Sequence, residues 1–113
     1  MAAADLSGRA VIVTGGGGGL GRAMAVGLAD CGARVAVLDI DRDAAESVTA
    51  DIRARHGDGS AIALICDISV ESDCRAAVER TIRELGGLHV LVNNAAIGMR
   101  FISEDFVDTP PKF

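Results

Sequence analysis

Long apolar runs and basic clusters are both missing from this sequence. No stretch approaches the roughly 20 consecutive apolar residues that a membrane span requires. The start, "MAAADLSG", lacks the basic segment and the apolar stretch of a secretory leader. A net charge of −5 without any basic patch argues against nucleic acid or an anionic membrane surface as partner. Cysteine is scarce: Cys31, Cys66 and Cys74 are odd in number and show no Cys-x-x-Cys spacing. They read as reduced thiols filling small core positions, which points to a cytoplasmic protein. Proline occurs twice, as Pro110 and Pro111, and the three phenylalanines (Phe101, Phe106, Phe113) also crowd the last stretch. What remains is globular in character, 50% hydrophobic and 24% charged, and 113 residues suffice for one domain at most.

Apolar β-branched runs alternate with helical periodicity. "RAVIVT" (Arg9 to Thr14), "RVAVLD" (Arg34 to Asp39), "AIALIC" (Ala61 to Cys66) and "HVLVN" (His89 to Asn93) have the pattern of strands buried on both faces. Between them three helices are predicted. The first carries a stripe of Leu20, Met24, Leu28 and Cys31 and stops at Gly32. The second runs from Asp41 to His56 with Ala45, Val48 and Ile52 on one face and closes at Gly57. The third is capped by Ser69, carries Cys74, Ala77, Val78, Thr81, Ile82 and Leu85, and ends at Gly86-Gly87. The order β-α-β-α-β-α-β implies an α/β fold, a doubly wound parallel sheet of four strands with right-handed crossovers. The stretch 99–113 has no clear period. It reads as an irregular tail, and the domain as incomplete, the N-terminal piece of a longer chain.

Five consecutive glycines, Gly15 to Gly19, sit between the first strand and the first helix. A flexible linker has no place between elements this regular. A turn that brings backbone close to a phosphate does, because a helix N-terminus offers unpaired N–H groups and a positive dipole end. Two registers fit. Gly16, Gly18 and Gly21 satisfy GxGxxG, a weak signal in so glycine-rich a run. Thr14-Gly15, Gly19 and Gly21 satisfy TGxxxGxG. Asp39 ends the second strand about 20 residues on, where a carboxylate can accept hydrogen bonds from an adenosine ribose and repel a 2′-phosphate. NAD is therefore expected over NADP, with Arg42 the one nearby basic group. A helix-capping role for Asp39 is the alternative, although Asp41 is at least as well placed for it.

With these residues the chain resembles the first half of a short-chain dehydrogenase/reductase, over Leu6 to about Gly98. "TGGGGGLG" (Thr14 to Gly21) fits that family's TGxxxGxG turn and selects the second register. "CDIS" (Cys66 to Ser69) resembles its acidic residue after the third strand, and "NNAA" (Asn93 to Ala96) its NNAG motif after the fourth. The resemblance implies a Rossmann-type fold. It assigns Gly15, Gly18, Gly19, Leu20 and Gly21 to the pyrophosphate turn, and Asp39 with Ile40 to the adenosine ribose. Asp67 and Ile68 would contact the adenine, and Asn94, Ala95 and Ala96 would line the cofactor's other ribose, while Asn93 steadies the sheet. Ala96 departs from the family's usual Gly and adds a methyl beside the cofactor. The family's chemistry, hydride transfer between NAD(H) and an alcohol or ketone, needs a Ser and a Tyr-x-x-x-Lys pair. This sequence has no Tyr, and Lys112 is its single Lys. His56 and His89 show no partner in the sequence and are poor substitutes. The expectation is cofactor binding without turnover by these 113 residues, in a longer protein that acts on a small molecule and forms a homo-oligomer. A non-catalytic nucleotide-binding or interaction fragment is the alternative, and an open reading frame continuing to Tyr-x-x-x-Lys would decide against it.

Overall fold

In the computed structural model, described over residues 4–95, four parallel strands form one sheet in the order β3-β2-β1-β4. Ala96 and the 99–113 stretch lie outside the described residues. The elements are β1 (Ala10–Thr14), α1 (Gly19–Asp30), β2 (Arg34–Asp39), α2 (Arg42–His56), a single 3₁₀ turn (Asp58–Ser60), β3 (Ala61–Ile65), α3 (Glu71–Leu85) and β4 (Val90–Val92). Among the described residues no helix is long and apolar enough to cross a membrane.

Alternation along the strands separates two cores. Val11, Val13, Val35 and Val37 face α1 and α2, where they meet Ala25, Ala29, Ala45, Val48 and Ile52. Ala10, Ile12, Ala36, Leu38, Ile62 and Leu64 point the other way and meet Ala77 and Leu85 of α3. Both faces of the sheet are covered over β1 and β2, so these strands are apolar throughout. Glycines stop the helices as expected: Gly32, Gly57 and Gly86 all have positive φ, at 98°, 99° and 82°. Asp41 caps α2 by accepting from Ala44 N at 3.1 Å.

Four expectations need correction. The fourth strand is not buried on both faces: Val90 is 42% and Leu91 59% exposed, because the described helices pack mainly on β1, β2 and β3. The buried stripe of α1 is Gly21, Ala25 and Ala29, one position on from the larger side chains, and Leu20 is 69% exposed. Small residues let the helix axis approach the sheet, and the bulkier neighbours are left along the border. Ser69 does not cap α3. The cap position is Val70, without a side-chain bond, and Ser69 instead donates from both N and Oγ to Asp67 Oδ1 (2.9 and 2.6 Å). Both histidines have partners. His56 Nε2 lies 2.8 Å from Asp30 Oδ1. His89 Nδ1 accepts from Ala10 N at 2.9 Å, while His89 N donates to Ala10 O at 2.9 Å.

Candidate functional site

In-register pairing brings the C-terminal ends of the strands to one edge of the sheet. Thr14 pairs with Leu38, Asp39 with Ile65, and Val13 with Val92. The chain steps from β1 to β2 to β3 in one direction, and β4 returns to the far side of β1. The crevice above β1 and β4 is thus the point where strand order reverses, the usual place for a ligand in an open α/β sheet.

The glycine turn occupies this crevice, and its stereochemistry distinguishes the two registers. Gly15 and Gly19 have φ of 65° and 54°, values that side-chain-bearing residues rarely adopt. A Cβ on Gly21 would stand 2.0 Å from Gly15 O, which is impossible without opening the turn. Gly18 is extended, at φ −164°, and a Cβ there would meet nothing within 4 Å. All three TGxxxGxG glycines are thus required by the backbone; of the other register, Gly16 is crowded as well, its Cβ 3.0 Å from Val13 O, whereas Gly18 meets nothing among the described residues. Among the described residues no side chain caps the start of α1, and its first turn holds no acidic residue. Those donors and the dipole end are left to whatever enters the crevice.

Asp39 links two turns. Its Oδ2 accepts from Gly17 N at 3.0 Å and its Oδ1 from Asp41 N at 3.0 Å. A carboxylate has about four lone-pair positions, so both oxygens keep acceptor capacity beside the glycine turn. Ile40, the next residue, is largely exposed. Gly17 was not singled out from the sequence. A Cβ there would come within 2.8 Å of Asp39 Oδ2 and of Ala44 Cβ, so its missing side chain is what lets the carboxylate reach the turn.

At the end of β3, Ser69 holds the Asp67 carboxyl below its ordinary range by hydrogen bonding, so Asp67 is an anion at neutral pH. Asp67 N donates to Asp73 Oδ2 at 3.1 Å, and Ile68 packs partly against the α3-side core. After β4, Asn94 Nδ2 donates to Gly15 O at 3.3 Å. Thr14 Oγ1 accepts from Asn94 N and Ala95 N (2.8 and 2.9 Å) and lies 3.3 Å from Val92 O and from Asn93 Oδ1. Thr14 is therefore the tie between the two strand ends. The TG pairing was its only signal in the sequence. Hydrogen bonds thus tie Gly15, Gly17, Asp39, Asn94 and Ala95 together at the ends of β1, β2 and β4; Gly18, Gly19, Leu20 and Gly21 lead into α1, Ile40 follows β2, Asp67 and Ile68 follow β3, and Ala96 lies outside the described residues.

Comparison with known proteins agrees with this geometry. Residues 9–109 match the family model described as short chain dehydrogenase. The chain is similar to the 2,5-dichloro-2,5-cyclohexadiene-1,4-diol dehydrogenase of Sphingobium indicum, with 47% identity over 82% of this chain and 35% of that protein. It is also similar to the 7alpha-hydroxysteroid dehydrogenase of Escherichia coli, with 41% identity over 82% of this chain and 36% of the relative. The chain thus spans about a third of the length of these curated relatives. Among solved structures, a 7 alpha-hydroxysteroid dehydrogenase complexed with NADH and 7-oxo glycochenodeoxycholic acid superposes with TM-score 0.75 at 39% identity, covering 79% of this chain and 34% of that one. The 3-ketoacyl-(acyl-carrier-protein) reductase of Brucella melitensis complexed with NADH gives TM-score 0.76 at 42% identity, covering 83% and 36%.

Proposed function

This chain belongs to the short-chain dehydrogenase family, and on that footing we propose that it is the dinucleotide-holding N-terminal part of an NAD-dependent oxidoreductase of alcohols or ketones. The observation that carries the reading is the uncapped start of α1 behind the Gly15–Gly21 turn, with the Asp39 carboxylate fastened to Gly17 N. The residues present fit such a ligand. The space that a Cβ on Gly18 would take is open, while Gly21 admits no side chain that could fill the turn. In this reading Gly15, Gly18, Gly19, Leu20 and Gly21 receive the pyrophosphate, and Asp39 and Ile40 the adenosine ribose. Asp67 and Ile68 border the adenine, and Asn94, Ala95 and Ala96 the second ribose. The bound dinucleotide supplies a hydride acceptor or donor. The protein's own part here is to orient it and to exclude a 2′-phosphate.

Cofactor choice follows from Asp39. Ionised, it accepts from ribose hydroxyls and repels a phosphate on the same ring. Arg42 is turned toward Glu46, at 3.6 Å, which offsets its attraction for that phosphate. Hydrogen bonds to a charged group are worth about 1.5–3 kcal/mol, so a preference for NAD of about tenfold to a hundredfold is expected. Calorimetric dissociation constants for NAD and NADP, in the parent and in Asp39→Ala, test it. The substitution should weaken NAD binding and narrow the ratio. Equal binding of both cofactors by the parent, or an unchanged ratio in the variant, would refute the assignment.

The acid–base step calls for a Tyr-x-x-x-Lys pair that this sequence does not contain. The purified 113 residues are accordingly expected to bind NAD and to reduce none of it with any alcohol. Steady NADH production above a heat-inactivated control would contradict this. A small-molecule substrate, a cytoplasmic setting and homo-oligomeric assembly of the whole protein belong to the same proposal.

A further inference from the structure

The outer strand β3 is flanked by two helices, because α2 packs on one face of the sheet and α3 on the other. Along its outer edge runs a groove of about 700 Å³, whose lining includes Arg42, Glu46 and Arg53 of α2, Arg80 of α3, and Ala63 and Ile65 of β3. Three cations and one carboxylate give this lining a charge of +2, in a chain whose net charge is −5.

The three guanidinium groups are engaged to different degrees. Arg42 stands 3.6 Å from Glu46, and both side chains are exposed. Arg80 donates through Nε to Glu84 and through Nη1 to Ala63 O at 3.4 Å. Arg53 donates through Nε to Ala61 O at 2.8 Å and has no carboxylate partner among the described residues. A guanidinium donates from all three of its nitrogens, so the terminal fork of Arg53 remains for a ligand. The strand edge adds donors of its own. Cys66 N donates inward to Asp39 O, and hydrogen-bonding direction alternates along a strand, so the N–H groups of Ala63 and Ile65 turn outward into the groove. The outward carbonyls of Ala61 and Ala63 are already taken by Arg53 and Arg80. The groove therefore presents mainly donors and positive charge.

Such a lining selects the chemistry of its ligand. A further strand would need the two carbonyls that the arginines occupy. A single carboxylate would be satisfied by one guanidinium fork. Guanidinium groups on opposite walls, with strand N–H groups between them, suit a group whose anionic oxygens point in several directions. We propose that the groove beside β3 binds a phosphate-bearing small anion, with Arg53 as its central contact and Arg42 and Arg80 to either side. A phosphate monoester carries about −1.5 to −2 near neutrality, which offsets the charge of the lining. The groove lies on the far side of β2 and β3 from the glycine turn, so it is a second site and not an extension of the first.

The test is a titration of the nitrogen-15-labelled chain with sodium pyrophosphate, followed residue by residue by NMR. Saturable shifts are expected for the amides of Ala63 and Ile65 and for Arg53 Nε–H, with an affinity that falls as sodium chloride screens the charges. Arg53→Gln should weaken binding at these reporters about tenfold or more, through loss of charge-assisted hydrogen bonds. Glu46→Gln removes the one carboxylate of the lining and should tighten binding about threefold, a gain that no loss of folding could imitate. An absence of shifts at Ala63 and Ile65 up to on the order of 10 mM pyrophosphate would overturn the proposal. So would an unchanged affinity in a folded Arg53→Gln chain, or binding by Glu46→Gln no tighter than that of the parent. Pyrophosphate entering the glycine turn is reported separately by the amides of Gly15 to Gly21, so the groove and the dinucleotide reading succeed or fail independently.

Discussion

At Gly21 one methyl decides whether the turn can close. Its Cβ would stand 2.0 Å from Gly15 O and 2.7 Å from Asn94 Nδ2, and neither neighbour is free to retreat, because both belong to the β1–β4 tie. Gly21→Ala is expected to cost about 3 kcal/mol, read as a fall in the urea midpoint at unchanged slope. Gly18→Ala is its counterpart. The site is open and the backbone extended, so stability should change by under ~1 kcal/mol, the cost of a poorer helix cap. The added methyl still occupies the space in front of α1, so calorimetry should show weaker NAD binding in a fully folded variant. Thr14 is a different kind of residue, a single hydroxyl oxygen accepting from two backbone N–H groups. Thr14→Val keeps the shape and takes the acceptor from Ala95 N, while Asn94 N keeps Val92 O at 3.1 Å, which should cost about 1–3 kcal/mol. Thr14→Ser should recover most of it.

Among the elements, β3 and β4 are the outer strands of the described sheet, and they are finished differently. The outward carbonyls of β3 receive arginines from two helices: Arg53 Nε donates to Ala61 O at 2.8 Å, and Arg80 reaches Ala63 O at 3.4 Å. A strand whose acceptors are engaged and flanked by cations is a poor template for another chain. Arg53→Ala with Arg80→Ala should therefore produce concentration-dependent association in sedimentation velocity, beyond that of the parent. Where β4 enters the sheet, the ladder is extended by a side chain, with His89 Nδ1 taking the N–H of the fully buried Ala10. His89→Ala leaves that donor unpaired, and a loss of about 1–3 kcal/mol is expected. Faster amide exchange at Ala10 would localise it.

Over the whole molecule, apolar surface is unevenly covered. The face of α3 away from the sheet and the β4 strand leave Val78, Ile82, Val90 and Leu91 exposed, Ile82 by 50% and Leu91 by 59%. No arginine reaches a β4 carbonyl among the described residues. Adjacent apolar side chains beside an unguarded edge favour association. The isolated 113 residues should self-associate through β4, and Leu91→Glu with Ile82→Glu should raise the monomer fraction in light scattering without lowering the melting temperature. A sharp monomeric melt of the parent at high concentration would contradict this.

Much of this was written in local pattern. β-branched runs bounded by glycines determined the four strands, and Gly32, Gly57 and Gly86 determined where the helices stop, because backbone conformation is decided within a few residues. The Thr14–Gly21 spacing and Asp39 placed the candidate site for the same reason. Only tertiary contact could decide the rest. The buried stripe of α1 is set by how closely the helix approaches β1 and β2, so small residues won over the larger ones that periodicity favoured. Gly17 showed its purpose only when Asp39, from another strand, arrived at 3.0 Å. The partners of His56 and His89 likewise follow from packing between elements, for which spacing along the chain holds no signal.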